Sequence, residues 1–239
     1  MKLNYQQNEL NDYLNDLNNE IRILKLLSHN ENSLKYYGTY EEGNNQIIVM
    51  EKCDMNLKDY IKQRKTSLKI EKFLKINELF QILQNYQIIH RDLKLENFLI
   101  KFTNKEKTQY ILKLGDYGIG KFKLESNGIY SGLKGTIETI APEILLEKTK
   151  TYESIVDIFS LGVILYQLSH NLRHPFGDNL IGHIMKYQKN FETDNLTINI
   201  DKSIKDKDFK DLLINMLKIN PENRLSWEQY FGHPFFQNK

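Results

Sequence analysis

The apolar periodicity of this chain changes character part-way along it, and that change constrains the fold more than any other feature. The first part carries two helical patterns and four short strand patterns, whereas beyond residue 141 helical spacing dominates. All four prolines, Pro142, Pro175, Pro221 and Pro234, lie in the second part, between or at the ends of its helical stretches. A ring that fixes φ and removes an N–H is tolerated there.

Leu10, Tyr13, Leu14, Leu17, Ile21, Leu24 and Leu27 predict a helix over about 7–28, ended by Ser28-His29-Asn30. The runs Leu34–Tyr40 and Gln46–Glu51, separated by Glu41-Glu42-Gly43-Asn44-Asn45, read as a hairpin. Phe73, Ile76, Leu79, Phe80 and Leu83 predict another helix, with an irregular stretch over 90–97 and short strands near 98–101 and 111–114. A loop runs from Gly120 to about 141, and helices are expected near 154–170, 179–188, 206–217 and 226–231. No internal repeat is visible, and strands followed by helices make the class α+β.

At 239 residues the chain can bury one large domain or two lobes. Lys and Arg number 33 against 31 Asp and Glu, scattered without a basic stripe, so no nucleic-acid surface is expected. Cys53 is the single cysteine, which excludes an internal disulfide and suits a reducing compartment. The first residues have no apolar signal core, and the longest apolar-rich stretch, Ile158 to Leu168, is too short to span a bilayer. An intracellular, cytoplasmic protein with no membrane span is the expectation.

The chemistry concentrates in His90-Arg91-Asp92-Leu93-Lys94-Leu95-Glu96-Asn97, which matches the pattern H-R-D-L-x-x-x-N at every specified position. Nineteen residues after Asn97 comes Asp116-Tyr117-Gly118, preceded by the apolar Tyr110-Ile111-Leu112; it looks like D-F-G with Tyr for Phe. Ala141-Pro142-Glu143 matches A-P-E, with Gly135-Thr136 upstream, and Asp157-Ile158-Phe159-Ser160-Leu161-Gly162 resembles D-x-W-S-x-G with Phe for Trp. Taken singly, each has a bland alternative: a charged surface turn, an ordinary turn, or a carboxylate at a helix start. Together and in this order they resemble the eukaryotic protein kinases, serine/threonine type.

The resemblance implies a bilobal kinase-like fold with a truncated small N-terminal β-lobe over 1–52 and a helical C-terminal lobe over 53–239. It implies ATP and Mg²⁺ as cofactors and the Ser or Thr hydroxyl of a protein as acceptor. Asp92 would accept or orient the acceptor proton, Lys94 would steady the γ-phosphate, and Asn97 and Asp116 would hold the metal. His90 and Arg91 support the loop, Asp157 accepts backbone N–H groups from it, and Glu143 pairs with Arg224. Gly135 and Thr136 position the substrate. Met50 is the gatekeeper of a hinge whose Glu51 and Cys53 backbone faces adenine, with Leu99 as the floor. Glu20 takes the place of the helix carboxylate that pairs with a phosphate-binding lysine.

The N-terminal side departs from the family. The first glycine is Gly38, so no G-x-G-x-x-G precedes Glu20, and Lys2 is the only lysine before it. Its 18-residue separation from Glu20 suits a strand lysine, with Met1-Lys2 as the tail of that strand. Such a chain exposes sheet edge and calls for a partner that covers it. A non-catalytic scaffold, pseudokinase-like, is therefore the rival reading, and a small-molecule kinase of related fold a weaker one. Ser131, near Arg91, is the candidate phosphorylation site of the activation segment, with plain solvent exposure as the alternative. Glu96 would favour a basic residue near the acceptor.

Overall fold

The computed structural model describes residues 2–43, 45–64, 74–122, 135–149, 153–177, 179–195 and 197–237. The chain opens with helix α1 (Lys2–Leu27), whose C-terminal half buries Ile21, Ile23, Leu24 and Leu27. An antiparallel hairpin follows, β1 (Tyr36–Glu42) and β2 (Asn45–Met50), with Thr39 opposite Ile48 and Tyr40 opposite Ile47. Among the described residues this pair forms a two-stranded sheet with Tyr37, Tyr40 and Val49 exposed.

Strand β3 (Met55–Asn56) leads into α2 (Leu57–Arg64), a helix the sequence reading did not anticipate. Next come α3 (Asn77–Asn85) and the two-residue β4 (Ile88–Ile89). Strands β5 (Phe98–Phe102) and β6 (Tyr110–Leu114) form a hairpin that β3 extends in the order β3-β5-β6. Strand β7 (Lys121–Phe122) pairs with β4, so the segments on either side of the catalytic loop and of Asp116-Tyr117-Gly118 are stitched together.

The remainder is helical: α4 (Pro142–Leu145), α5 (Ile155–Ser169), α6 (Leu180–Asn190), α7 (Lys207–Met216), α8 (Trp227–Phe231) and α9 (Pro234–Gln237). Asp206 caps α7 by accepting from Phe209 N at 2.9 Å, and Ser226 with Gln229 forms a capping box on α8. Helix α5 is apolar on nearly all sides and accordingly buried on all sides, from Val156 through Tyr166. Gly162 lets α7 approach it closely, since a Cβ there would lie 3.0 Å from Met216 Cβ. No described helix is long and apolar enough to cross a membrane.

The Arg224 guanidinium, its side chain 0% exposed, holds Glu143 in a two-pronged ion pair with both N–O distances at 2.7 Å. It also donates to Lys218 O, Ile155 O and Ile219 O, so it ties together the segments at 143, 155 and 218–219. Removing one partner would strand a buried charge, which costs more than the pair's net worth. Arg224→Ala should therefore lower the unfolding free energy by about 3–5 kcal/mol, and Arg224→Met with Glu143→Met by clearly less. Urea denaturation of the two variants checks this.

Candidate active site

Helix α5 starts the site. The Asp157 carboxylate, in its first turn and fully buried, accepts His90 N at 2.7 Å on one oxygen and Arg91 N at 2.9 Å on the other. Burial pushes its pKa up, and the charge of His90 and the two N–H groups oppose that rise. His90 is buried, and desolvation pushes its pKa below the ordinary value against the opposing pull of Asp157, Asp116 and Asp92. Its Nδ1 accepts from Asp92 N at 3.4 Å, which leaves Nε2 to donate to Gly115 O at 3.2 Å. Arg91 lies in the left-handed region, φ 71°, and its Nη1 donates to Ile119 O at 3.3 Å.

Asp92 sits where these backbone contacts aim it. Its Oδ2 accepts Lys94 Nζ at 2.6 Å and Asn97 Nδ2 at 3.2 Å, and its Oδ1 accepts Thr136 Oγ1 at 2.7 Å. Lys94 also donates to Thr136 Oγ1 at 3.0 Å. Burial works against the Asp92 charge, but the bonds from Lys94 and Thr136 outweigh it and hold the carboxyl below the usual range. Thr136 reaches Asp92 because Gly135, φ 119°, packs on Arg91 O, 2.8 Å from where a Cβ would stand.

Asn97 donates Nδ2 to Asp92 O at 2.8 Å, and its own backbone O accepts Gly115 N at 3.0 Å. Asp116 follows directly, exposed and in the left-handed region at φ 61°. An exposed carboxylate beside an amide whose nitrogen is committed elsewhere offers two oxygen donors, the set a hard cation such as Mg²⁺ takes together with substrate phosphates. Among the described residues no three His, Cys, Asp or Glu side chains form a fuller cage. Tyr117 is buried, its ring 5.1 Å from that of His90 and its hydroxyl donating to Leu114 O at 3.4 Å.

On the hinge side, Met50, Cys53 and Leu99 are partly buried, and Leu99 and Leu34 converge on Gly115. Glu51 N donates to Lys35 O at 2.8 Å, so that N–H is already committed within the fold. Burial and the nearby Glu51 charge raise the Cys53 thiol's pKa. Lys113 was missed by sequence reasoning. Its side chain is 3% exposed and its Nζ sits 3.0 Å from Glu51 Oε2, donating also to Glu31 O and Ser33 O. The signal was there, a lone lysine in an apolar strand.

Lys2 requires correction. It opens α1 and does not end a strand. Along one continuous helix the 18 residues to Glu20 amount to ~27 Å, beyond the reach of a lysine side chain. Glu20 instead faces Asp116: a Cβ on Gly118 would lie 3.6 Å from Glu20 Oε2 and 3.4 Å from Asp116 Oδ1. Ser131 lies outside the described residues.

A comparison with family models matches residues 1–236 to the protein kinase domain. The chain belongs to the protein kinase family. The α+β elements described above are those of its bilobal fold. This kinase domain is 33% identical over 229 residues to a probable serine/threonine-protein kinase nek3 of Dictyostelium discoideum, covering 92% of this chain and 19% of that protein. It is 32% identical over 230 residues to calcium-dependent protein kinase 19 of Arabidopsis thaliana, covering 93% and 39%. It is 34% identical over 251 residues to a putative serine/threonine-protein kinase R517/R518 of Acanthamoeba polyphaga mimivirus, covering 94% and 53%. The chain thus spans between a fifth and about half of these relatives.

Burial, and after it the Asp116 charge, raise the Glu20 pKa above the ordinary 4.5. The folded state therefore binds that proton more tightly, and the stabilisation is full below the unfolded value and lost as pH rises through the folded one. Glu20→Gln should melt at a higher temperature than the parent at about pH 8, with the gap closing towards about pH 4. Thermal melts across that range measure it, and a gap that does not depend on pH contradicts it.

Proposed function

We propose that this kinase domain transfers the γ-phosphoryl group of ATP, with Mg²⁺, to Ser or Thr hydroxyls of proteins. The observation that carries the reading is the Asp92 carboxylate, bonded by Lys94, Thr136 and Asn97, with Lys94 and Thr136 holding its pKa below the usual range. An ionised carboxylate braced on a rigid loop suits orienting an acceptor hydroxyl and taking its proton as the bond to phosphorus forms. Lys94, bonded to both Asp92 and Thr136, would neutralise charge on the transferred group. Asn97 and Asp116 would hold Mg²⁺, which supplies charge neutralisation at the phosphates. The hinge carbonyl of Glu51 and the N–H of Cys53 would meet adenine above Leu99. We assign residues 1–52 to the small lobe and 53–239 to the large one.

A scaffold reading has one observation in its favour: among the described residues no cation pairs with Glu20. Radiolabelled Mg·ATP with a generic Ser/Thr substrate separates the two. Asp92→Asn should lower the transfer rate ~10²–10⁴-fold, the usual worth of a positioned acid–base group. Background incorporation by both proteins would instead support the scaffold, and a thermal shift with ATP, with and without Mg²⁺, would show whether nucleotide still binds.

A further inference from the structure

The single turn Leu95–Asn97 buries its first and last residues and turns only Glu96 outward. Asn97 donates to the Asp92 carboxylate, so chain geometry keeps the Glu96 carboxylate within about 10–15 Å of it. An extended peptide advances ~3.3 Å per residue, so Glu96 is within reach of a substrate residue two or three places from the acceptor. A bare carboxylate there would select a basic side chain.

It is not bare. Lys58 Nζ lies 2.5 Å from Glu96 Oε1, with the two side chains 40% and 39% exposed. The contact is built into the fold. Helix α2 has its rotation fixed by burial of Leu57, Tyr60 and Ile61. Its start is fixed by Asn56, whose Oδ1 accepts Asp59 N at 2.8 Å. The adjacent Asp59 carboxylate is occupied by Asn56 Nδ2 at 2.9 Å, which leaves Glu96 as the acid that Lys58 meets.

We propose that Lys58 is a specificity-determining residue, which fills the Glu96 carboxylate in place of a substrate Lys or Arg. The kinase domain then takes uncharged side chains two or three places from its acceptor. This rests on the protein-kinase reading above, and it reverses the expectation that Glu96 favours a basic neighbour. Exposed ion pairs are worth little, so the discrimination is a factor of about 5.

Serine peptides carrying Arg or Ala two or three places to either side of the acceptor provide the test. They are compared by kcat/KM and, fluorescently labelled, by anisotropy, which needs no phosphate transfer. The parent should show an Arg-to-Ala ratio near unity. Lys58→Ala should raise it to about 5 at one position, and adding Glu96→Gln should return it to the parent value. An unchanged ratio in Lys58→Ala, or a parent that already favours Arg, overturns the inference. If no peptide is phosphorylated but Lys58→Ala gains affinity for the Arg peptide, the activity reading fails and this one stands. If phosphate is transferred but neither measurement shifts, the reverse holds.

Discussion

Asp157 accepts two consecutive backbone N–H groups from the catalytic loop while buried in a helix enclosed on nearly all sides, and the site's geometry follows from that contact. A buried carboxylate is costly unless its oxygens are used, and here each oxygen takes one donor. The arrangement is mutual. His90 and Arg91 lose their N–H groups to no other strand, and Arg91 is held at a left-handed φ that a non-glycine residue adopts only under constraint. Asp92 is therefore aimed by the core helix, not by the loop's own preferences.

From that anchor the site is assembled mostly through main-chain atoms. His90 reaches Gly115 O, Asn97 O accepts Gly115 N, and Gly135 lies against Arg91 O. The side chains with chemistry to perform, Asp92, Lys94, Asn97 and Thr136, then close a compact network over this frame. Two-residue strands β4 and β7 add the last tie, drawing the start of the loop against the segment after Asp116. Short-range supports of this kind hold a carboxylate more tightly than long side chains would, because few rotamers need to be frozen.

The helical remainder and the catalytic run were legible because their information is local. His90 to Asn97 are consecutive, and the long apolar run over 155–169 needs no partner to be recognised. Glu143 with Arg224 was legible across 81 residues only because both belong to motifs; long-range pairs outside the motifs were another matter. Lys113 with Glu51, Lys121 with Asp16 and Lys58 with Glu96 each join residues far apart in sequence, and packing alone chooses their partners. Thr136 could be placed near substrate from its neighbours, but not its bridging of Asp92 and Lys94. The Lys2 reading failed for a related reason. A spacing of 18 residues means one thing across a strand, a loop and a helix, and another along a single helix.

The N-terminal side poses a charge problem that the rest of the fold has solved elsewhere. Helix α1 is fastened on both sides of Glu20, by Asp16 to Lys121 Nζ at 2.8 Å and by the Arg22 guanidinium 4.7 Å from the Phe122 ring centre. Both anchors belong to β7, just beyond Asp116, so Glu20 is held towards a second carboxylate and not free to swing away. Like charges brought together under partial burial favour protonation of one or a cation between them. Glu143 shows the alternative in the same protein, a buried acid whose arginine is supplied by the fold. The fastening of α1 thus keeps Glu20 and Asp116 facing each other, a pair that a positive group between them would stabilise.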